Sequence, residues 1–286
     1  MRVSFIGLGA MGYPMAGHLA KKYNVSVYNR THAKAQQWQT EYGGYTCQNL
    51  AEALQNINVI FMCLGRDEDV LSVVENPEFL DNISADMILV DHSTTSFNLA
   101  QKLHKICNER GAYFVDAPVS GGQDGAIKAM LSTMMGGDTV IIQKIEPLLS
   151  CYCQKQTHIG ATGYGQLAKM VNQICVTSVL QGLSEGLKFA ENENIDIDLL
   201  LNAISGGAAQ SWQMVHRGET MHKRLFDFGF AIDWMIKDLG YALNRAQENG
   251  TDLDFTEQIY NEYQKLSQQG HGRKDTSALI LAIDDE

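Results

Sequence analysis

The stretch FIGLGAMGYPMA occupies residues 5–16. It places glycines at positions 7, 9 and 12, a G-x-G-x-x-G spacing, directly behind the apolar run VSFI and ahead of a helical pattern that starts near Pro14. Each glycine answers a separate steric demand. Gly7 makes the tight turn out of the strand, Gly9 lets backbone approach a pyrophosphate, and Gly12 lets the helix lie close to the strand. The helix N-terminus then turns unpaired N–H groups and the positive end of its dipole toward the phosphates. The turn Gly7, Leu8, Gly9, Ala10, Met11, Gly12 is therefore the candidate dinucleotide cradle.

Working outward, the first half alternates short apolar runs with amphipathic stretches. The strand candidates are 3–7, 25–29, 59–64, 87–93 and 112–118, with further strands near 131–137 and around His158. Strands alternating with helices predict a parallel sheet covered on both faces. After Gly165 the pattern becomes continuously helical from Gln166 to Asn192, and further helices are expected near 196–204, 211–222, 229–249 and 254–268. The fold class read from this pattern is α/β: an N-terminal Rossmann-type doubly wound sheet over 1–162, then an all-helical C-terminal domain over 163–286, joined by a long helix.

The composition agrees with such a protein. The chain has 286 residues, 45% of them hydrophobic, with only 4 prolines and 19% charged residues. That is enough apolar material for sizeable cores and too little bias for long disordered arms. The formal net charge of -11 would repel nucleic acid, and no basic run offsets it. No segment reaches the roughly 18 apolar residues that span a bilayer, and the N-terminus lacks signal-peptide form. Six scattered cysteines read as free thiols of a cytoplasmic protein. Cys151 and Cys153 have no companion ligands at zinc-site spacing, so no metal is expected.

The second strand ends in YNRT (28–31), where an acidic residue commonly binds the ribose hydroxyls of NAD. Arg30 stands there instead. It can pair with a 2′-phosphate, with Asn29 and Thr31 adding hydrogen bonds, which favours NADP and leaves NAD as the alternative. Two later strand ends, MCLG (62–65) and DHST (91–94), offer Cys63, Leu64 and Thr94 as further cofactor contacts. His92 reads as a packed or capping histidine.

DAPVSGG (116–122) follows the next strand, and Ser120, Gly121 and Gly122 form a turn able to aim N–H groups and one hydroxyl at a substrate carboxylate. In GYGQLAKMVNQ (163–173) the helical repeat puts Lys169, Asn172 and Gln173 on one face. An ammonium buried there has its charged form disfavoured, which suits a lysine that exchanges protons near neutral pH; the local pattern fits equally a lysine that snorkels to solvent from an apolar helix. In the second half, Trp212 reads as core packing, with lining the substrate pocket beside Gln210 as the alternative, and Arg217 as a candidate second anion contact.

These four segments, FIGLGAMGYPMA, DAPVSGG, GYGQLAKMVNQ and the KDL at 237–239, resemble in kind and order those of the β-hydroxyacid dehydrogenases, a group distantly related to 6-phosphogluconate dehydrogenase. The resemblance covers nearly the whole chain. It implies hydride transfer between a nicotinamide cofactor and a small β-hydroxy acid or semialdehyde, with homodimers or homotetramers formed through the helical domain. It assigns proton exchange to Lys169, the substrate carboxylate to Ser120–Gly122, and a place beside the substrate to Asn172. Gln173 stands where many members carry Asn, and Lys237 resembles a lysine that reaches the cofactor. Two other enzymes compete with this reading. A serine-type dehydrogenase would keep every motif, whereas imine reductases usually replace the lysine. A non-catalytic cofactor-binding module is the remaining alternative.

Overall fold

The computed structural model describes residues 1–284, which fall into two compact units, Met1–Lys169 and the described residues from Met170 onward. The first contains a nine-stranded sheet: β1 (Arg2–Ile6), β2 (Asn24–Tyr28), β3 (Tyr45–Thr46), β4 (Val59–Met62), β5 (Ile88–Asp91), β6 (Tyr113–Asp116), β7 (Val119–Ser120), β8 (Leu131–Gly136) and β9 (Cys153–Gly160). Six strands run parallel in the order β3-β2-β1-β4-β5-β6. The order reverses direction between β1 and β4, the switch point outside which dinucleotides bind in such sheets. Beyond β6 the sheet turns mixed: β8 runs antiparallel to β6 and β7, and β9 runs parallel to β8.

Alternation along the strands explains why they read as continuous apolar runs. Val3, Phe5, Val59, Phe61 and Val90 enter the core on one face, whereas Ile6, Ile60, Met62 and Leu89 enter the core on the other. A parallel strand buried on both faces loses its polar half and with it the period-two signature. Two strands escaped the sequence reading, β3 and β7. Each is only two residues long, too short for any periodicity to register.

The helix Tyr164–Asn192 carries the boundary between the units. The second unit continues with Ile197–Ile204, Trp212–His222, Ile232–Asn249 and Asp254–Leu266. Asp196 and Ser211 cap two of these, accepting from the N–H groups of Leu199 and Met214. Gly250 ends the third in the left-handed conformation at φ 74°. Leu180, Leu187, Met221, Ile232, Leu239, Tyr263 and Leu279 form the core between them. The third helix starts at Ile232 rather than near 229. Asp275 accepts from the Phe230 N–H at 2.9 Å while its own N–H donates to the Phe226 carbonyl, so the bent, non-helical segment 226–231 is tied to Asp275 and the helix begins only after it.

The ends of β5 and β6 carry a buried acid each, Asp91 and Asp116, in register with one another. In Asp91, Oδ1 accepts from the Ser93 N–H at 2.9 Å and Oδ2 has no hydrogen-bond partner. Burial raises this carboxyl to about 7, opposed by the bonds from Ser93. Its neighbour His92 is pushed the other way, to about 4, because burial disfavours the imidazolium. A raised acid contributes stability that is present below its unfolded value of about 3.9 and is lost as the pH climbs through its folded value. Replacing Asp91 by Asn removes that cost of ionisation. The stability advantage of Asp91→Asn over the parent should therefore shrink as the pH falls from 7 to 4, by at most about 1.4 kcal/mol per pH unit in urea unfolding. A difference that does not vary with pH would show Asp91 ionised throughout that range.

Candidate active site

Gly7 adopts φ +96°, and its N–H donates to the Tyr28 carbonyl at 2.9 Å, tying the turn to β2. A side chain at Gly7 would strike the Cys63 carbonyl, and one at Gly12 would strike the Gly7 carbonyl. Gly9 differs, since a Cβ added there meets nothing within 4 Å. The first and third glycines are thus required by the protein's own packing. The second leaves open space, as a cradle for pyrophosphate needs.

Asn29 is turned toward this loop. Its Oδ1 accepts from the Leu8 N–H at 3.0 Å and its Nδ2 donates to the Thr31 carbonyl at 3.0 Å, so its amide shapes the turn and its neighbour. Arg30 and Thr31 are exposed at the end of β2. Leu64 follows β4, and its N–H donates to the Ser93 hydroxyl at 2.9 Å, which ties the β4 and β5 ends together beside Cys63 and half-buried Thr94. All these positions lie at the carboxyl ends of parallel strands. His92 is core: Nδ1 donates to the Ala117 carbonyl at 2.6 Å, Nε2 accepts from the Tyr152 hydroxyl at 2.8 Å, and the ring stacks on Phe61.

Ser120 is half-buried at the end of β7, followed by Gly121 and Gly122 at φ +129° and +64°. Two consecutive left-handed residues bend the chain in a way side chains resist. Lys169 is 7% exposed, near the start of its long helix. Asp116 accepts from the N–H groups of Gly163 at 2.7 Å and Gln166 at 3.0 Å, capping that helix from the end of β6. Gln166 is fully buried; its Oε1 accepts from the Thr95 N–H and its Nε2 donates to the Ser93 carbonyl.

In the second unit Gln173 is buried and donates from Nε2 to Asp238 Oδ2 at 2.6 Å, while its Oε1 accepts from Asn172 Nδ2 at 2.8 Å. Lys237 lies 3.1 Å from Asp238 Oδ1, flanked by the rings of Trp234 and Tyr241. Trp212 departs from the sequence expectation of core packing. It is 50% exposed and lies against the Arg217 guanidinium. Arg217 is engaged by Asp275 at 3.4 Å and by the Phe228 ring.

Residues 2–160 match the family described as the NAD binding domain of 6-phosphogluconate dehydrogenase. Residues 163–283 match the NAD-binding domain of NADP-dependent 3-hydroxyisobutyrate dehydrogenase. The chain belongs to the β-hydroxyacid dehydrogenase family. An uncharacterized oxidoreductase of Shewanella frigidimarina is 45% identical, with 99% of this chain and 98% of that protein aligned. A probable 3-hydroxyisobutyrate dehydrogenase-like protein of Arabidopsis thaliana is 36% identical over 99% of this chain and 85% of its own length. The solved 3-hydroxyisobutyrate dehydrogenase of Mycobacterium tuberculosis with L-serine superposes with a TM-score of 0.88 at 27% identity, covering 99% and 98% of the two chains. This β-hydroxyacid dehydrogenase is accordingly a nicotinamide-dependent oxidoreductase acting on CH–OH groups.

The sequence reading passed over Asp116, Gln166 and Asp238. Each stands inside a segment it quoted, as the acid that opens DAPVSGG, the glutamine of GYGQ and the aspartate of KDL. An acid at the end of an apolar strand was the available signal. In this dehydrogenase Gly9→Ala should fold with a melting temperature close to the parent's, because the methyl meets no protein atom, yet bind NADPH at least tenfold more weakly. Unchanged affinity by fluorescence titration would remove Gly9 from the cofactor's path.

Proposed function

We propose that the protein is an NADP-dependent reductase of small semialdehyde or keto acids, and the dehydrogenase of the corresponding hydroxy acids, with Lys169 as the general acid and base. The observation that carries this reading is the burial of Lys169 in the unit that also holds the glycine cradle, on a helix whose start is anchored to the strand ends. Gly7–Gly12 would hold the pyrophosphate, with Leu64 and Thr94 along the same edge. Exposed Arg30 suits a 2′-phosphate, since a guanidinium pairs with two phosphate oxygens at once and no acid at this strand end repels them. Bound nicotinamide supplies the hydride donor or acceptor.

The chain's own residues do the rest. The N–H groups and hydroxyl of Ser120–Gly122 hold the substrate carboxylate. Lys169 donates a proton to the carbonyl oxygen as reduction forms the alcohol, and accepts it in the reverse direction. Within the second unit, the Asp238–Gln173 pair orients the amide of Asn172, which follows Lys169 by one helical turn. Proton transfer from a positioned side chain accounts for about 10²–10⁴ of the rate, and positioning for much of the remainder. Free cysteines fit a reducing cytoplasm, and exposed apolar side chains such as Phe189, Leu199 and Phe255 fit a homodimer or homotetramer. A serine-type activity is the second reading, favoured by the M. tuberculosis relative solved with L-serine.

Lys169→Ala should lose at least 10²-fold in kcat while NADPH binds within about threefold of the parent. A variant that keeps a tenth of the parent's turnover would refute the role given to Lys169.

A further inference from the structure

Helices are usually capped by a side chain next to them in sequence, which fixes nothing beyond the helix itself. The Lys169 helix is capped differently. Its cap is Asp116, which lies 47 residues before Gly163 and 50 before Gln166. The carboxylate sits at the carboxyl end of β6 and is fully buried. Two glycines make room for it. A Cβ on Gly136 would stand 2.6 Å from Asp116 Oδ1, and one on Gly165 would stand 2.7 Å from Oδ2. A side chain at either glycine would clash with this carboxylate. Four positions, Asp116, Gly136, Gly163 and Gly165, therefore serve one contact between a strand end and a helix start.

Gln166 supplies a second tie in a different direction. Its amide bonds both the Ser93 carbonyl, at 2.8 Å, and the Thr95 N–H, at 3.1 Å. These bracket Thr94 at the end of β5. Both amide groups are used, which fixes the side chain against rotation. Lys169 follows Gln166 by three residues, on the adjoining part of the same helix. The start of the helix is thus held to β6 by one pair of bonds and to the β5 loop by another.

We propose that Asp116 and Gln166 are positioning residues for Lys169: they set where its amine lies relative to the strand-end loops, and so act on turnover rather than on cofactor affinity. This rests on the reading of Lys169 as the proton-exchanging group. Misplacing such a group by about 1 Å costs on the order of 10²-fold in rate.

The test uses the full chain, NADPH, and whichever of glyoxylate, succinic semialdehyde and tartronate semialdehyde the parent reduces fastest. Asp116→Asn turns one acceptor into a donor that faces an N–H. Gln166→Met keeps the buried volume and removes both ties, and serves if the first variant does not fold. For folded variants the expected result is a fall in kcat of at least 30-fold, with KM and the NADPH dissociation constant each within threefold of the parent. A lower melting temperature with kcat unchanged would reduce both residues to structural supports and overturn the proposal. So would a fall in kcat matched by an equal loss of NADPH affinity. Lys169→Ala run beside them separates the two claims. If it stays active, the role of Lys169 fails. If it is inactive while Asp116→Asn and Gln166→Met run at full speed, only the positioning role fails.

Discussion

A buried carboxylate must find hydrogen-bond donors, and Asp116 finds them in the first turn of a helix some fifty residues further along the chain. Burial still raises its carboxyl to about 6, with the bonds from Gly163 and Gln166 opposing the shift. The arrangement depends on absent side chains. Gly136 and Gly165 leave the space, and Gly163 adopts φ +90° to bring its N–H to bear. The same helix carries Lys169, so the bonds to this buried acid hold the start of the segment on which we place the proton exchange.

The cofactor edge follows the same logic of mutual constraint. Gly7 and Gly12 are glycines because the β1 turn packs against Cys63 and against itself. Asn29 then fixes the turn through the Leu8 N–H, and Ser93 fixes the β4 end through the Leu64 N–H. The glycine turn and the strand ends are thus joined by the protein's own side chains. Of the candidate contacts, Gly9, Ala10, Arg30 and Thr31 are exposed.

The sequence revealed what repeats and what is spaced regularly. β1, β4 and β5 stand out as largely apolar runs because both sheet faces are covered, and the helices of the second half carry amphipathic periods and cap residues such as Asp196 and Ser211. What stayed hidden were pairings across long separations. No period links Asp116 to Gln166, or Gln173 to Asp238, 65 residues apart. The amide of Asn29 reads as a cofactor contact in sequence, and its bonds to Leu8 and Thr31, which brace the glycine turn, carry no local signature. Trp212 reads as core because it is large and apolar, and its exposure depends on what the neighbouring chain leaves uncovered. Local pattern carries local structure, whereas the partners of buried polar groups are decided by the assembled fold.

The central claim is hydride transfer between NADPH and a small acid bearing a carbonyl. The most direct measurement follows the absorbance of reduced nicotinamide with purified protein and a panel of glyoxylate and the succinic, tartronate and methylmalonate semialdehydes. It then runs in reverse with their hydroxy acids and with L-serine. The account predicts oxidation of NADPH with at least one semialdehyde or keto acid, faster than with NADH. Tight NADPH binding with no turnover across the panel in either direction would contradict it and return the protein to the standing of a cofactor-binding module.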